Sequence, residues 1–349
     1  MKNIYDITFT ELESFFLKNK QKKYRATQTF DWLYKQQVES FEKMKNLNSE
    51  CISLLKENFY FPDLIMVNKQ ESIDGTVKYL YKLNDGNLIE TVIMRQKYGN
   101  SICVTSQVGC NMGCLFCASG KLKKIRNLEA GEMIAQIIKS QKDFNERISH
   151  VVIMGIGEPF DNYDNTMRFL RNINDHKALE IGARHITVST CGIVPKIKEF
   201  ADENLQVNLA ISLHASNDTI RSQIMPINRK YKIRDVIDAI KYYINKTNRR
   251  VTIEYILLKG INDQKEHAIE LVNLLRGLNV YVNLIPYNEI AEMSFKQSSN
   301  NTLKEFHETL LNNKINAIFR AELGSDINAA CGQLRSQTIK GEKLWEQQG

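Results

Sequence analysis

The sequence predicts an α/β fold: a partial or full (β/α)6 barrel with a small helical N-terminal domain and a short β-hairpin linker. Three observations predict it. From residue 100 onward, short apolar strands alternate with longer amphipathic stretches. Residues 7–70 repeat apolar side chains mostly at helical spacing. Residues 72–98 alternate polar and apolar, the period of a half-buried strand.

Each element follows from its local pattern. LESFFL, TFDWLYKQQV and MKNLNSECISLLKENF read as helices of a small module, with Cys51 on a core face. Lysines and aromatics interleave in it (Lys22, Lys23, Tyr24, Arg25, Phe30, Trp32, Tyr34), which by itself marks only a plain accessory domain. ESIDGTVKYLYKLNDGNLIETVIMRQ carries Asp-Gly pairs at 74–75 and 85–86, the residues of tight hairpin turns, so it reads as a β-hairpin or meander. Glu90 lies on its second strand and by pattern alone faces solvent.

Apolar strands follow at 102–108, 150–156, 185–190, 207–214, 251–258, 280–287 and 315–321, with helical stretches between them. Strands separated by helices pair in parallel through right-handed crossovers. A barrel builds its site from the loops after its strands. Cysteines follow the first strand, Gly155-Ile156-Gly157-Glu158-Pro159 the second, Ser189-Thr190-Cys191-Gly192 the third, Ser212-Leu213-His214 the fourth and Pro286-Tyr287-Asn288 the sixth. The expected divisions are a helical domain at 1–70, a hairpin linker at 71–99, a core barrel at 100–330 and a tail at 331–349.

Four of the seven cysteines lie in SICVTSQVGCNMGCLFCASG, residues 101–120. Cys110, Cys114 and Cys117 are spaced C-x3-C-x2-C, and Gly109 and Gly113 let the chain wrap around a bulky guest. A structural zinc site closes with four ligands, yet the nearest histidine in sequence, His150, is far away and no fifth cysteine lies near. A four-iron cluster takes one cysteine per iron, so three leave one iron open. The bland reading, three packed structural cysteines, fits this tight spacing poorly. Other candidates are weaker. Glu158 suits an amino group; Ser189 and Ser212 suit a ribose or carboxylate; Asn288 suits an adenine edge. His214 is more often a satisfied structural group than a ligand or base. Cys331, among small residues in GSDINAACGQL, is either an accessible sulfur or one buried in a tight turn.

Composition bounds the class. The 349 residues, 43% hydrophobic and 25% charged, suit an ordinary globular protein. No signal-peptide stretch or membrane-length apolar run is present, and seven unevenly placed cysteines do not form a disulfide framework, so a reducing cytoplasm is expected. The net charge of +7 permits a polyanionic partner. Two basic runs stand out, KLKKIR at 121–126 directly after the cysteines and RKYKIR at 229–234. The first is the better candidate for phosphate contacts, being nearer the chemistry in sequence.

The cysteine spacing, with Phe116 before the third cysteine, resembles the radical S-adenosylmethionine (SAM) superfamily. CVTSQVGCNMGCLFCASG, VVIMGIGEPFDNYD, HITVSTCGIVP, LAISLHASNDTIRSQIMPINRKY, VNLIPYN and GSDINAACGQLR together resemble the bacterial RlmN family of dual-specificity RNA methyltransferases, and YRATQTFDWLYKQ its RNA-binding accessory domain. The resemblance implies a radical SAM barrel that methylates carbon 2 of an adenosine in the peptidyl transferase centre of 23S rRNA and of adenosine 37 in tRNA. The sister Cfr-type enzymes, which modify carbon 8, are the alternative; Pro159 favours carbon 2. By the resemblance, Cys110, Cys114 and Cys117 hold a [4Fe-4S] cluster, and Gly157, Glu158, Ser189, Ser212, Leu213, His214 and Asn288 contact SAM. Cys331 becomes methylated, Cys103 is its disulfide partner and Glu90 accepts a proton, while Cys191 is structural. Two SAM per turnover, an electron donor such as flavodoxin or ferredoxin, and a monomer are also implied. Two rival readings are an RNA-binding protein with a structural cluster and a radical SAM enzyme acting on protein or small molecules.

Overall fold

A computed structural model describes residues 1–290, 293–321 and 323–327. A two-residue strand β1 (Lys2–Asn3) pairs in parallel with β2 (Phe59–Tyr60), closing a module of helices α1 (Phe9–Lys18), α2 (Tyr24–Phe30) and α3 (Ser49–Asn58). Side chains satisfy the amides that open these helices. Thr8 and Glu11 form a reciprocal capping box on α1, and Asn48 accepts from the Cys51 amide on α3. Cys51 is fully buried.

One ten-stranded sheet forms the rest of the frame. It begins with an antiparallel meander, β3 (Leu64–Glu71), β4 (Val77–Leu83), β5 (Leu88–Gln96) and β6 (Gly99–Cys103). The two Asp-Gly pairs sit in its first two turns. After a small ribbon of β7 (Gln107–Val108) and β8 (Arg126–Asn127), the sheet continues through β9 (Ile148–Ile153), β10 (Ile186–Thr190), β11 (Asn208–Ser212), β12 (Val251–Leu257), β13 (Val280–Pro286) and β14 (Ala317–Phe319). From β6 to β14 all neighbours are parallel. The crossovers carry α4 (Ala130–Phe144), α5 (Tyr163–Asn174), α6 (Val194–Asp202), the pair α7 (Asp218–Ile224) and α8 (Ile233–Thr247), α9 (Lys265–Leu275) and α10 (Asn300–Asn312). These six β/α units curl into a partial barrel, with β14 and β3 at the two edges.

Two expectations need correction. The strand β3 starts at Leu64, inside the stretch assigned to the helical domain. Helical spacing ends with Asn58, and beyond it LIMVNKQE pairs with β4 at seven positions. The meander is also no linker, because β5 and β6 are continuous with the parallel sheet. Nor does the N-terminal module have a core of its own. Ile4, Leu12, Phe30 and Leu55 belong to the same buried cluster as Ile134, Val188 and Leu284. Asp6 accepts from the Gly131 amide at 2.6 Å, and Asn172 donates to the Tyr5 carbonyl at 3.0 Å.

The segment leaving β6 is fixed from beneath by one amide. Gln136 on α4 is fully buried. Its Oε1 accepts from the Thr105 amide (2.9 Å) and the Thr91 hydroxyl (2.8 Å), and its Nε2 donates to the Thr105 carbonyl (3.0 Å). Gln136→Leu keeps the volume and strands those groups without water. Each buried unsatisfied polar group costs about 1–3 kcal/mol. Urea denaturation of the variant should show a loss of about 3 kcal/mol; a change below about 0.5 kcal/mol would mean that this network does not hold the segment.

Candidate active site

Past Cys103 the chain keeps pairing beside β9 as both strands run out. The Ser106 amide donates to the Ile156 carbonyl at 2.9 Å, and Gln107 Oε1 accepts from the Glu158 amide at 2.9 Å. Gly157, at φ +107°, lies so close to this segment that a β-carbon would stand 2.6 Å from Gln107 Cβ. Its lack of a side chain serves packing between two loops, and the residue also lines the pocket described next.

The ribbon β7–β8 then carries the cysteine loop over the C-terminal ends of the parallel strands. Cys110, Cys114 and Cys117 line one pocket of about 220 Å³ together with Gly157, Glu158, Ser189, Ser212 and His214. Burial pushes the Cys110 thiol up to about 12 and raises Cys114 further, so without a cation these sulfurs stay protonated. Among the described residues no three His, Cys, Asp or Glu side chains form a group that could hold a metal ion. A multinuclear cluster needs a different arrangement, one sulfur per iron on a shared wall. Three soft donors from one loop fit such a cluster with one open iron; Cys191, on the same pocket wall, comes from the β10 loop and gives its amide to Glu158.

Glu158 is buried, and burial raises its pKa against the hydrogen bonds that oppose it. Its two oxygens accept from the Cys191 amide (2.7 Å) and the Phe160 amide (3.0 Å), tying the β9 and β10 loops together. Ser189 and Ser212 face each other, 3.5 Å between hydroxyls, as residues of neighbouring strands. His214 has φ +56° and is buried, with Nδ1 accepting from the Ile256 amide at 3.0 Å. That bond puts any ring proton on Nε2. Phe116 packs edge-on against the ring at 4.9 Å. The bland reading of His214 as a satisfied group therefore holds for one nitrogen, while the ring still lines the pocket.

Other expected residues lie elsewhere. Leu213 is fully buried in the main core, not in the pocket lining; its carbonyl accepts from Arg221. Asn288 is exposed past the end of β13 and is not part of the lining. Cys103 is buried at the end of β6 and likewise outside the lining, although its strand leads into the cysteine loop. Glu90 is 4% exposed, which overturns its reading as a solvent-facing residue, because the meander is covered on that face as well. Cys191 is buried in the pocket wall, as a structural role requires. Cys331, and with it the expected disulfide to Cys103, falls outside the described residues.

The pattern reading missed several residues. Arg221 has no exposed surface, yet no carboxylate among the described residues accepts a hydrogen bond from it. It donates to the carbonyls of Cys191 (2.6 Å), Leu213 (3.1 Å), Ser212 (3.3 Å) and Tyr231 (3.3 Å) and to Asn228 Oδ1 (3.1 Å). Glu254 on β12 also lines the pocket, held by Asn283, with Arg320 attracting its charge. Arg320 reaches Met154 Sδ at 3.8 Å, from the end of β14 to the end of β9, and so spans the open barrel. Charged residues inside otherwise apolar strands such as VTIEYIL were the available signal for Glu254. A larger cavity, about 900 Å³, lies between the N-terminal module and the barrel, but it contains no cysteine.

A partial β/α barrel with three cysteines at its mouth defines the radical SAM class, and residues 104–272 match the radical SAM superfamily. Residues 2–60 match the ribosomal RNA large subunit methyltransferase N-terminal domain. The chain is 58% identical to a probable dual-specificity RNA methyltransferase RlmN of Acholeplasma laidlawii, over 96% of this chain and 99% of that one. It is 56% identical to the corresponding protein of Enterococcus faecalis, over 99% of each. A radical SAM methyltransferase from Sphaerobacter thermophilus superimposes with a TM-score of 0.91 at 41% identity, covering 95% of this chain and 99% of that one. The chain belongs to the RlmN family of radical SAM RNA methyltransferases. Its superfamily implies a [4Fe-4S] cluster and SAM. Among the described residues no helix is long and apolar enough to cross a membrane.

His214 gives the site a pH signature. Burial first, and then the Arg221 charge, push its pKa down to about 3. The unfolded value is near 6.5, so the unfolded chain takes up the proton first. The contribution is complete above pH 6.5 and is lost as pH falls toward 3, by up to about 1.4 kcal/mol per pH unit. In urea titrations between pH 7 and 5, His214→Gln should flatten the stability profile relative to the parent chain; parallel profiles would contradict a neutral buried imidazole.

Proposed function

We propose that this chain methylates carbon 2 of an adenosine in the peptidyl transferase centre of 23S rRNA and of adenosine 37 in tRNA. The observation that carries the reading is the single pocket wall bearing Cys110, Cys114 and Cys117, faced by Glu158, Ser189, Ser212 and His214. Carbon 2 of adenine is electron-poor and cannot attack a methyl cation equivalent, so a sulfur relay is the reaction class that suits it.

The three cysteines would hold the [4Fe-4S] cluster. The Gly157–Glu158 turn, Ser189, Ser212 and His214 would surround SAM, with Leu213 contributing backbone and Asn288 the outer rim. Bound there, the cluster and SAM would supply a methyl group and a 5′-deoxyadenosyl radical, two SAM being consumed per turnover. The Cys331 thiolate would take the methyl; after a hydrogen atom is removed from that S-methyl group its carbon would add to the base, and loss of one electron and one proton would leave the base bonded through that carbon to the Cys331 sulfur. Cys103 then attacks the Cys331 sulfur, forming a disulfide and releasing the RNA. Glu90, on β5 next to the strand that carries Cys103, would be the proton acceptor. The N-terminal module contributes to RNA binding. The rest of the setting is a cytoplasmic monomer, reduced by flavodoxin or ferredoxin.

Reconstituted protein incubated with SAM, dithionite and an rRNA fragment should yield 2-methyladenosine on digestion and mass spectrometry. A product methylated at carbon 8, resolved chromatographically against a standard, would move the chain to the Cfr-type chemistry. Cys114→Ala should lose the iron while the apoprotein melts near the parent temperature, since no hydrogen bond of the fold runs through that sulfur among the described residues. Cys103→Ala should keep its iron and accumulate RNA bound covalently at Cys331, seen as a shifted band on a denaturing gel. Normal turnover by Cys103→Ala would remove that residue from the mechanism.

A further inference from the structure

The two basic runs differ in what the fold leaves them free to do. In the first, Lys124 is bonded to Asp161 at 2.7 Å, and Arg126 bridges Asp85 (2.5 Å) and Glu132 (2.7 Å). Those cations hold the ribbon in place. In the second run Arg229, Lys230, Lys232 and Arg234 are all exposed, and among the described residues none is in an ion pair.

The fold brings this second run to the cysteine loop, over a hundred residues away in sequence. The Leu115 amide donates to the Ile224 carbonyl at 3.0 Å. Met112 and Ile227 pack against the same small apolar cluster, and Met225, a member of that cluster, lines the reaction pocket itself. Next to that pocket opens a cleft of about 470 Å³ that shares Met112 with it. Lys230 and Tyr231 stand on one side of the cleft and Asn127 and Tyr163 contribute to its lining. Two acids, Asp161 and Asp164, also line it, and Asp161 is engaged by Lys124 and Gln107.

We infer that residues 229–234 are the phosphate-binding edge of the RNA site, and that the cleft beside them takes the nucleotide next to the target base. This rests on the RNA methyltransferase reading above. Four exposed cations beside an aromatic and amide-lined cleft match a single-stranded polyanion with flat bases. An acidic protein surface would use the charges but not the cleft. A base splayed into the reaction pocket must bring its flanking nucleotides past the adjoining cleft, which Lys230 lines.

The test is binding of a 23S rRNA fragment carrying the target adenosine, measured by fluorescence anisotropy across a salt series. Each phosphate contact contributes about 0.7–0.9 to the slope of log affinity against log salt. Replacing Arg229, Lys230, Lys232 and Arg234 together with Gln should lower that slope by about 3 and weaken binding at least tenfold at low salt. A control with Lys246, Arg250, Arg276 and Lys314 changed to Gln removes equal charge near the opposite ends of the strands and should lie close to the parent. Should the fourfold variant melt early, the pairs 229/230 and 232/234 are measured separately, each expected to take about half of the slope change. Parent-like RNA affinity in a folded variant overturns the inference. So does intact RNA binding combined with slowed reduction by flavodoxin, which would make the patch a donor dock. Failure of the parent protein to bind RNA would instead sink the functional reading on which the inference rests.

Discussion

The site depends on one buried cation. Arg221 on α7 sends every hydrogen bond it makes to a neutral oxygen, and three of these oxygens are carbonyls at or just past the ends of β10 and β11. Burying a guanidinium without a bonded carboxylate costs several kcal/mol unless its donors are satisfied. Here the donors are satisfied by backbone that must sit in one arrangement. Cys191, whose carbonyl it holds, presents its amide to Glu158, so the clamp extends to the β9 loop. The segment after α7, anchored by the same side chain through Asn228 and the Tyr231 carbonyl, is what the cysteine loop leans on.

The geometry also explains why this pocket suits a cofactor that brings its own charge. The thiols are buried beside Glu158, and both features oppose ionisation. Only iron, or another strong cation, makes thiolates there. With iron bound, the Arg221 charge lies on the favourable side of the balance, since its attraction to Cys114 is already felt in the protein alone. Glu254 and Arg320 add charged groups to the same pocket, Glu254 being held by Asn283.

Much of this was legible in the sequence. Alternating strands and helices gave seven parallel strands near their observed places, because a sheet covered by helices imposes long apolar runs that few other structures share. The cysteine triplet and the polar ends of β9, β10 and β11 were visible for the same reason, being polar residues where an apolar strand stops. What pattern could not reach were tertiary facts. Glu90 reads as exposed because its burial comes from coverage of a second face of the meander. Leu213 reads as part of a binding motif, yet its side chain belongs to the core. The nearer basic run looked like the better RNA contact, and only the fold shows that Asp85, Glu132 and Asp161 engage two of its four cations, Lys124 and Arg126. The boundary at residue 70 failed because LIMVNKQE carries too little alternation to declare itself a strand.

The common core of the N-terminal module and the barrel has a mechanical meaning. A β-carbon on Gly131 would stand within 2.4–2.5 Å of three atoms of the Asn3 side chain, so the first residues of the chain are pressed into the start of α4. Modules joined in this way have no hinge between them. The first residues and the β/α frame bury one continuous interior, so a core substitution in either is felt by both. A module exchanged into this frame would have to match two helices at once, α4 at Gly131 and α5 at Arg168 and Asn172.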